Sequence, residues 1–156
     1  MATESTEKFL VGAVDAALAA QNAVIAAESM GLGTVYIGGI RSNIEEVSQL
    51  LKLPKHVIPI VGLAVGYPDQ EPSIKPRLPM ENVYHKDEYQ ANDDIMKTQL
   101  NQYNQIISTY YSERTNGTRK DRWTEQMTKM LATERRVTLK SFLEQKGYLQ
   151  NKFRKY

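Results

Sequence analysis

The chain has 156 residues, 41% of them apolar and 24% charged, and its 20 Lys and Arg against 18 Asp and Glu leave a net charge of only +2. That composition suits one soluble globular domain, and so small a charge argues for neither nucleic acid nor an anionic membrane, so any anion site has to come from a local cluster. The absence of cysteine excludes disulfides, thiolate catalysis and cysteine-based zinc sites.

From Glu7 to Met30 small and apolar residues recur at Phe9, Ala13, Ala16, Ala17, Ala20, Val24 and Ala27, the spacing of one helical face, and Gly31 ends it. Alanines this small demand a close neighbour, either a partner subunit or another helix of the same chain. Met1 to Thr6 reads as a polar lead-in. No cationic leader precedes an apolar segment, and no apolar run is expected to reach the ~20 residues that span a bilayer. A cytoplasmic protein without a membrane partner is therefore expected.

Thr34–Ile37 reads as a short buried strand with Gly38-Gly39 at its exit. Asn43 is placed to cap a helix from Ile44 to Leu51, closed by Pro54. Val57–Val65 is an almost continuous apolar run and predicts a strand covered on both faces, with Pro59 arguing for an edge, a bulge or a later start at Ile60. Residues 68–90 hold four of the chain's six prolines and predict an ordered loop.

A helical stripe then runs from Asp93 to Tyr111 through Met96, Leu100, Tyr103, Ile107 and Tyr110. A polar break from Ser112 to Lys120 centres on Asn116-Gly117, a turn signal. Asp121 is placed to cap a helix burying Trp123, Met127, Met130 and Leu131, and a last helix carrying Leu139, Phe142 and Leu143 stops at Gly147. The whole is an α+β layered fold, taken as a single domain over 1–156 with a helical extension from 92 to the C-terminus.

Two constellations could carry chemistry. Tyr36-Ile37-Gly38-Gly39 with Lys75-Pro76-Arg77 offers backbone that can lie against a flat ring and two cations for a dianion. Each half has a plainer reading, a β-bulge and a solvated turn. Arg114, Arg119, Lys120 and Arg122 flank Asn116-Gly117 and could hold a nucleotide's phosphates, or form a solvated charged loop. No aromatic platform or groove-reading motif accompanies them, which disfavours nucleic acid. His56 and His85 stand singly without ligand spacing, so neither is expected to bind metal. No Ser-His-Asp or paired-carboxylate arrangement is present.

The run Tyr36-Ile37-Gly38-Gly39-Ile40-Arg41, with Ala26 to Gly33 before it, Leu50-Leu51-Lys52-Leu53-Pro54 after it and Lys75-Pro76-Arg77-Leu78-Pro79 beyond, resembles the flavin-dependent nitroreductase family. The similarity is to its oxygen-insensitive NADPH nitroreductase and flavin reductase branch, and it extends from about Phe9 to about Tyr148. The resemblance implies FMN with its isoalloxazine along Tyr36, Ile37, Gly38 and Gly39, and with Lys75, Pro76 and Arg77 at the flavin or its phosphate. Tyr110-Tyr111-Ser112-Glu113-Arg114 with Arg119 matches a mobile loop that binds NADPH in such enzymes.

It also implies a homodimer formed through the first helix, and hydride transfer to nitroaromatics, quinones or free flavin, with no catalytic acid or base assigned. The family's N-terminal His-Arg-Ser-x-Arg segment has no counterpart here, so the fold is expected to be incomplete at its N-terminus. The competing expectation is a truncated family fragment that binds FMN weakly or not at all, and that acts only through another chain or is inactive.

Overall fold

The computed structural model describes residues 5–150, so part of the expected polar lead-in, residues 1–4, lies outside it. In chain order the elements are α1 (Thr6–Ser29), β1 (Gly33–Ile37), α2 (Ile44–Leu50), β2 (Gly62–Gly66), α3 (Asp93–Arg114), α4 (Trp123–Leu131) and α5 (Leu139–Gln145). Short 3-10 turns fall at Gly38–Arg41 and Met80–Asn82. Two compact units result: residues up to Gln70 together with those from Arg135 on, and Glu71–Glu134.

In the first unit, Ser5 opens α1 by accepting the Lys8 N–H at 3.3 Å, a cap the sequence reading passed over. Gly31, at φ +78°, follows its end, as the glycine there predicts. Of the predicted inner face only Val24 and Ala27 are buried, while Ala16 and Ala17 are exposed. The C-terminal half of the helix is the part tied to β1. There the Tyr36 hydroxyl donates to Gln21 Oε1 at 3.3 Å and the Thr34 hydroxyl to Glu28 Oε1 at 3.2 Å.

Another face of α1 presents Leu10, Val14 and Leu18, 56%, 48% and 61% exposed and spaced four apart, a stripe with no cover among the described residues. The helix also corrects the expectation about apolar length. Among the described residues α1 is long and apolar enough to cross a membrane by length and composition. Asp15, Gln21 and Asn22 stand within it, and Gln21 and Glu28 accept hydrogen bonds from β1.

β1 and β2 pair antiparallel, from Gly33 opposite Gly66 to Ile37 opposite Gly62. The expected strand over Val57–Val65 therefore forms only at its end, and it is not covered on both faces, because Ala64 and Val65 are exposed. Pro59 lacks an N–H to donate to a ladder, and regular pairing begins three residues beyond it.

Asn43 precedes α2 without capping it; its amide donates to the Glu46 carboxylate instead. α5 packs against α2, and Ile44, Phe142 and Leu143 are buried. Beyond α2 the chain is zipped to the end of α5. Lys146 Nζ donates to the carbonyls of Leu53 at 2.7 Å and Pro54 at 3.2 Å, the His56 N–H donates to Lys146 O at 3.0 Å, and the Tyr148 hydroxyl donates to His56 O. Gly147 sits at φ +90°, where a Cβ would fall 2.6 Å from the His56 ring, so no other residue fits without displacement. The His56 backbone is thus part of the link to the end of α5.

In the second unit Asn92 caps α3 by accepting from the N–H groups of Asp94 at 3.2 Å and Ile95 at 3.1 Å. The predicted stripe is realised in Tyr103, Ile107 and Tyr110, all buried, with Met96 and Leu100 half-buried. The helix continues to Arg114, past its expected end at Tyr111, so Arg114 is a last-turn residue rather than a loop residue. The turn then comes where Asn116-Gly117 predicts it, both at positive φ, with the Gly117 N–H donating to Ser112 O at 2.7 Å.

Asp121 does not cap α4. The capping position is Arg122, which makes no side-chain bond there, and the work is done from α3: Asn104 Oδ1 accepts the Thr124 N–H at 3.0 Å while Asn104 Nδ2 donates to Thr124 Oγ1 at 2.8 Å. α4 also buries less than expected. Trp123 and Met127 are half-buried, whereas Met130 and Leu131 are exposed, because the helix is short and its main helical neighbour is α3.

Asn104 is 1% exposed, so removing it strands the Thr124 amide and leaves α4 uncapped. Asn104→Ala is expected to cost about 1–3 kcal/mol in denaturant unfolding and to speed amide exchange at Thr124 first. Unchanged exchange at Thr124 would contradict the cap.

Candidate functional site

The diglycine segment is built by the end of β1. Tyr36 and Ile37 pair with Leu63 and Gly62 and remain 42% and 39% exposed. Gly38 and Gly39 then turn into a 3-10 turn rather than a β-bulge. A Cβ on Gly39 would meet nothing within 4 Å, and neither glycine has a positive φ, so the chain's own fold does not demand glycine at Gly39. Backbone beside open space is what a planar ring needs in order to lie against an amide plane.

Two arginines brace this turn. Arg41 donates to the Ile60 carbonyl, and Arg136, just ahead of α5, donates through Nη2 to Gly38 O at 3.2 Å. Arg136 also leaves its buried Nε without a partner among the described residues. The sequence reading missed it. Its one signal is the doublet Arg135-Arg136, and such doublets are ordinarily solvated, so only the fold reveals that the second arginine turns inward.

In the second unit the Lys75-Pro76-Arg77 segment is held by α3: the buried Tyr103 hydroxyl donates to Pro76 O at 3.0 Å. Lys75 and Arg77 are exposed on either side of that anchor. Lys75 Nζ lies 5.5 Å from the centroid of the Tyr111 ring. The same ring receives the Arg119 guanidinium at 4.3 Å. The structure therefore brings Lys75 and Arg119, assigned by sequence to two different ligands, to one aromatic side chain on α3.

Arg114 donates to the Tyr110 hydroxyl at 2.7 Å. Among the described residues no ion pair uses Lys75, Arg77 or Arg114, whereas Arg119 is paired with Asp121 at 2.6 Å and Arg122 with Glu125 at 3.6 Å. The hydrogen bond that Arg119 donates to the Asp121 carboxylate raises the guanidinium above its ordinary value. Two unneutralised cations, Lys75 and Arg114, and the carboxylate-paired Arg119 thus gather around the Tyr110–Tyr111 end of α3, an arrangement suited to phosphate oxygens.

Two hollows lie elsewhere and are not lined by these residues. One, of about 420 Å³, lies in the second unit among Asn82, His85, Lys86, Gln90, Ile95 and Gln99; the other, of about 170 Å³, lies in the first unit beside Phe9, His56 and Tyr148. Among the described residues no cluster of His, Asp or Glu could hold a metal ion.

This α+β arrangement and its motifs match a known family on both sides of the loop. Residues 3–67 match the model described as "Nitroreductase family" and residues 75–151 the one described as "Nitroreductase family, C-terminal domain". The chain belongs to the nitroreductase family, and its fold is the α+β nitroreductase fold. The FMN reductase (NADPH) of Bacillus subtilis is 47% identical over 148 residues, covering 95% of this chain and 59% of the relative. The oxygen-insensitive NADPH nitroreductase of Salmonella typhimurium is 46% identical over 142 residues, covering 91% and 58%. Among solved structures, B. megaterium NfrA1 is similar with a TM-score of 0.90 and 56% identity, over 93% of this chain and 59% of that one. The chain spans less than two thirds of the length of the relatives it matches.

Tyr103 is the link between α3 and the cation segment. Tyr103→Phe is expected to cost about 1 kcal/mol of stability, and to raise amide exchange across 73–79 while leaving the diglycine turn unchanged. Equal protection of 73–79 in both proteins would remove Tyr103 from that role.

Proposed function

We propose that the chain is an FMN-dependent NADPH oxidoreductase of the nitroreductase and flavin reductase type, which moves two electrons as a hydride. The observation that carries the reading is the pair of unneutralised cations, Lys75 and Arg114, at the Tyr110–Tyr111 end of α3, together with a diglycine turn whose Gly39 faces open space. The names of the relatives, an FMN reductase (NADPH) and an NADPH nitroreductase, point the same way. Tyr36, Ile37, Gly38 and Gly39 lie along the isoalloxazine in this reading, and Lys75, Pro76 and Arg77 answer the flavin phosphate. Arg114 and Arg119 take the phosphates of NADPH.

Bound FMN supplies the chemistry, accepting a hydride and later giving up the electron pair. The residues of this chain align and charge the site. Amides beside the ring fix its plane, the cations hold phosphate oxygens, and the aromatic face of Tyr111 keeps Lys75 and Arg119 in place. No side chain here is assigned a proton transfer. Nitroaromatics, quinones and free flavin all fit such a site as oxidants, and the reaction is placed in the cytoplasm, where a chain without cysteine needs no oxidising compartment.

A homodimer is part of the proposal, with the Leu10, Val14 and Leu18 face of α1 as its contact. The second reading, a chain that binds FMN weakly and acts through association with another chain, draws on the same exposed stripe. The visible spectrum separates the two. Stoichiometric flavin absorbance with NADPH oxidation supports the enzyme, and a colourless protein supports the second reading.

Arg77→Ala is expected to weaken FMN retention about tenfold, whereas Arg114→Ala raises the KM for NADPH about tenfold with the flavin content intact. Equal loss of flavin in both variants would overturn this division. Leu18→Arg is expected to shift the chain from dimer to monomer in sedimentation without unfolding it, since the side chain already faces solvent within one copy. A dimer that survives the change excludes this face as the contact.

A further inference from the structure

Asp121 stands where a helix cap is expected, yet it makes no cap, and its carboxylate is spent on a neighbour. Its Oδ2 accepts from Arg119 Nε at 2.8 Å and from an Arg119 terminal nitrogen at 2.6 Å, so one oxygen fills the edge of the guanidinium that would fork onto a phosphate. The rest of Arg119 is fastened as well. Its guanidinium lies 4.3 Å from the Tyr111 ring centroid, and its N–H donates to Thr115 Oγ1 at 2.9 Å, which in turn donates to Tyr111 O at 2.6 Å. Arg114, the other arginine of the pair, has no carboxylate on it among the described residues.

We infer that Asp121 is an internal competitor for the phosphate of NADPH, a latch that holds Arg119 against Tyr111 until a dianion displaces the carboxylate. The inference rests on the assignment of Arg119 to NADPH phosphate. A phosphate monoester carries more charge and more oxygens than a carboxylate, so it wins the guanidinium while bound and returns it on leaving. The latch is weak enough to open, because the Arg119 and Asp121 side chains are 50% and 42% exposed and water and salt screen the pair. Its consequence is kinetic. A carboxylate waiting for Arg119 favours departure of the oxidised nucleotide.

The test is titration of the full chain with 2′,5′-adenosine bisphosphate at low ionic strength, a probe that needs neither flavin nor turnover. Asp121→Asn is expected to tighten binding about two- to fivefold, the range of an exposed ion pair, and added salt is expected to shrink the gain. In an Arg119→Ala background the same change is expected to have no effect. A gain that persists without Arg119, or that Glu125→Gln reproduces, would be a through-space charge effect and overturns the latch. If Arg119→Ala alone leaves the affinity unchanged, or no variant binds the probe, the phosphate assignment itself fails and the latch goes with it. Weakened binding in Arg119→Ala without tightening in Asp121→Asn overturns the latch alone.

Discussion

The second unit depends on one buried helix side. Within twelve residues of α3, Tyr103 reaches the Pro76 carbonyl, Asn104 caps α4, Tyr110 receives Arg114 and Tyr111 receives both Lys75 and Arg119. Ile107, 1% exposed, packs amid these positions and fixes the helix rotation that makes them possible. A helix turned by one residue would send each of these contacts elsewhere, because side chains at three- and four-residue spacing share a face and their neighbours do not. The cation group is therefore a property of α3 more than of the loops that carry the cations.

The same logic explains why Asp121 and Asn104 trade roles. A carboxylate just ahead of a predicted helix is placed by sequence to cap it, but a cap can also come from a neighbouring element when a buried amide is already aimed at the helix start. With Asn104 meeting the Thr124 amide, Asp121 is left to the nearest guanidinium. The choice matters for chemistry. One arginine of the proposed NADPH pair is held by a carboxylate and the other by a neutral phenol, so the two answer an incoming phosphate on different terms.

In the first unit the diglycine turn is positioned from two directions, by the β1–β2 ladder below it and by Arg136 from far along the chain. Such bracing suits a site whose proposed task is alignment, since hydride transfer depends on holding two rings at a fixed distance and not on a titrating group. The uncovered stripe of α1 has a different character. It is apolar and regular, and α1's ties to β1 come from Gln21 and Glu28 further along the helix, so it is the surface on which assembly with a second chain is proposed.

Much of this was legible in the residues. Periodicity gave α1 and α3, Gly31, Gly117 and Gly147 marked the turns that end elements, and the diglycine and Lys-Pro-Arg motifs carried the family resemblance, because glycine, proline and helical spacing act through local sterics. What the sequence could not decide was partnership at a distance. The short β2 in place of a long buried strand, the cap supplied by Asn104, the inward turn of Arg136 and the meeting of Lys75 with Arg119 on one ring all depend on which segments the fold makes neighbours. A carboxylate or guanidinium bonds whatever lies within about 3 Å, and that is set by the packing of helices, not by position along the chain.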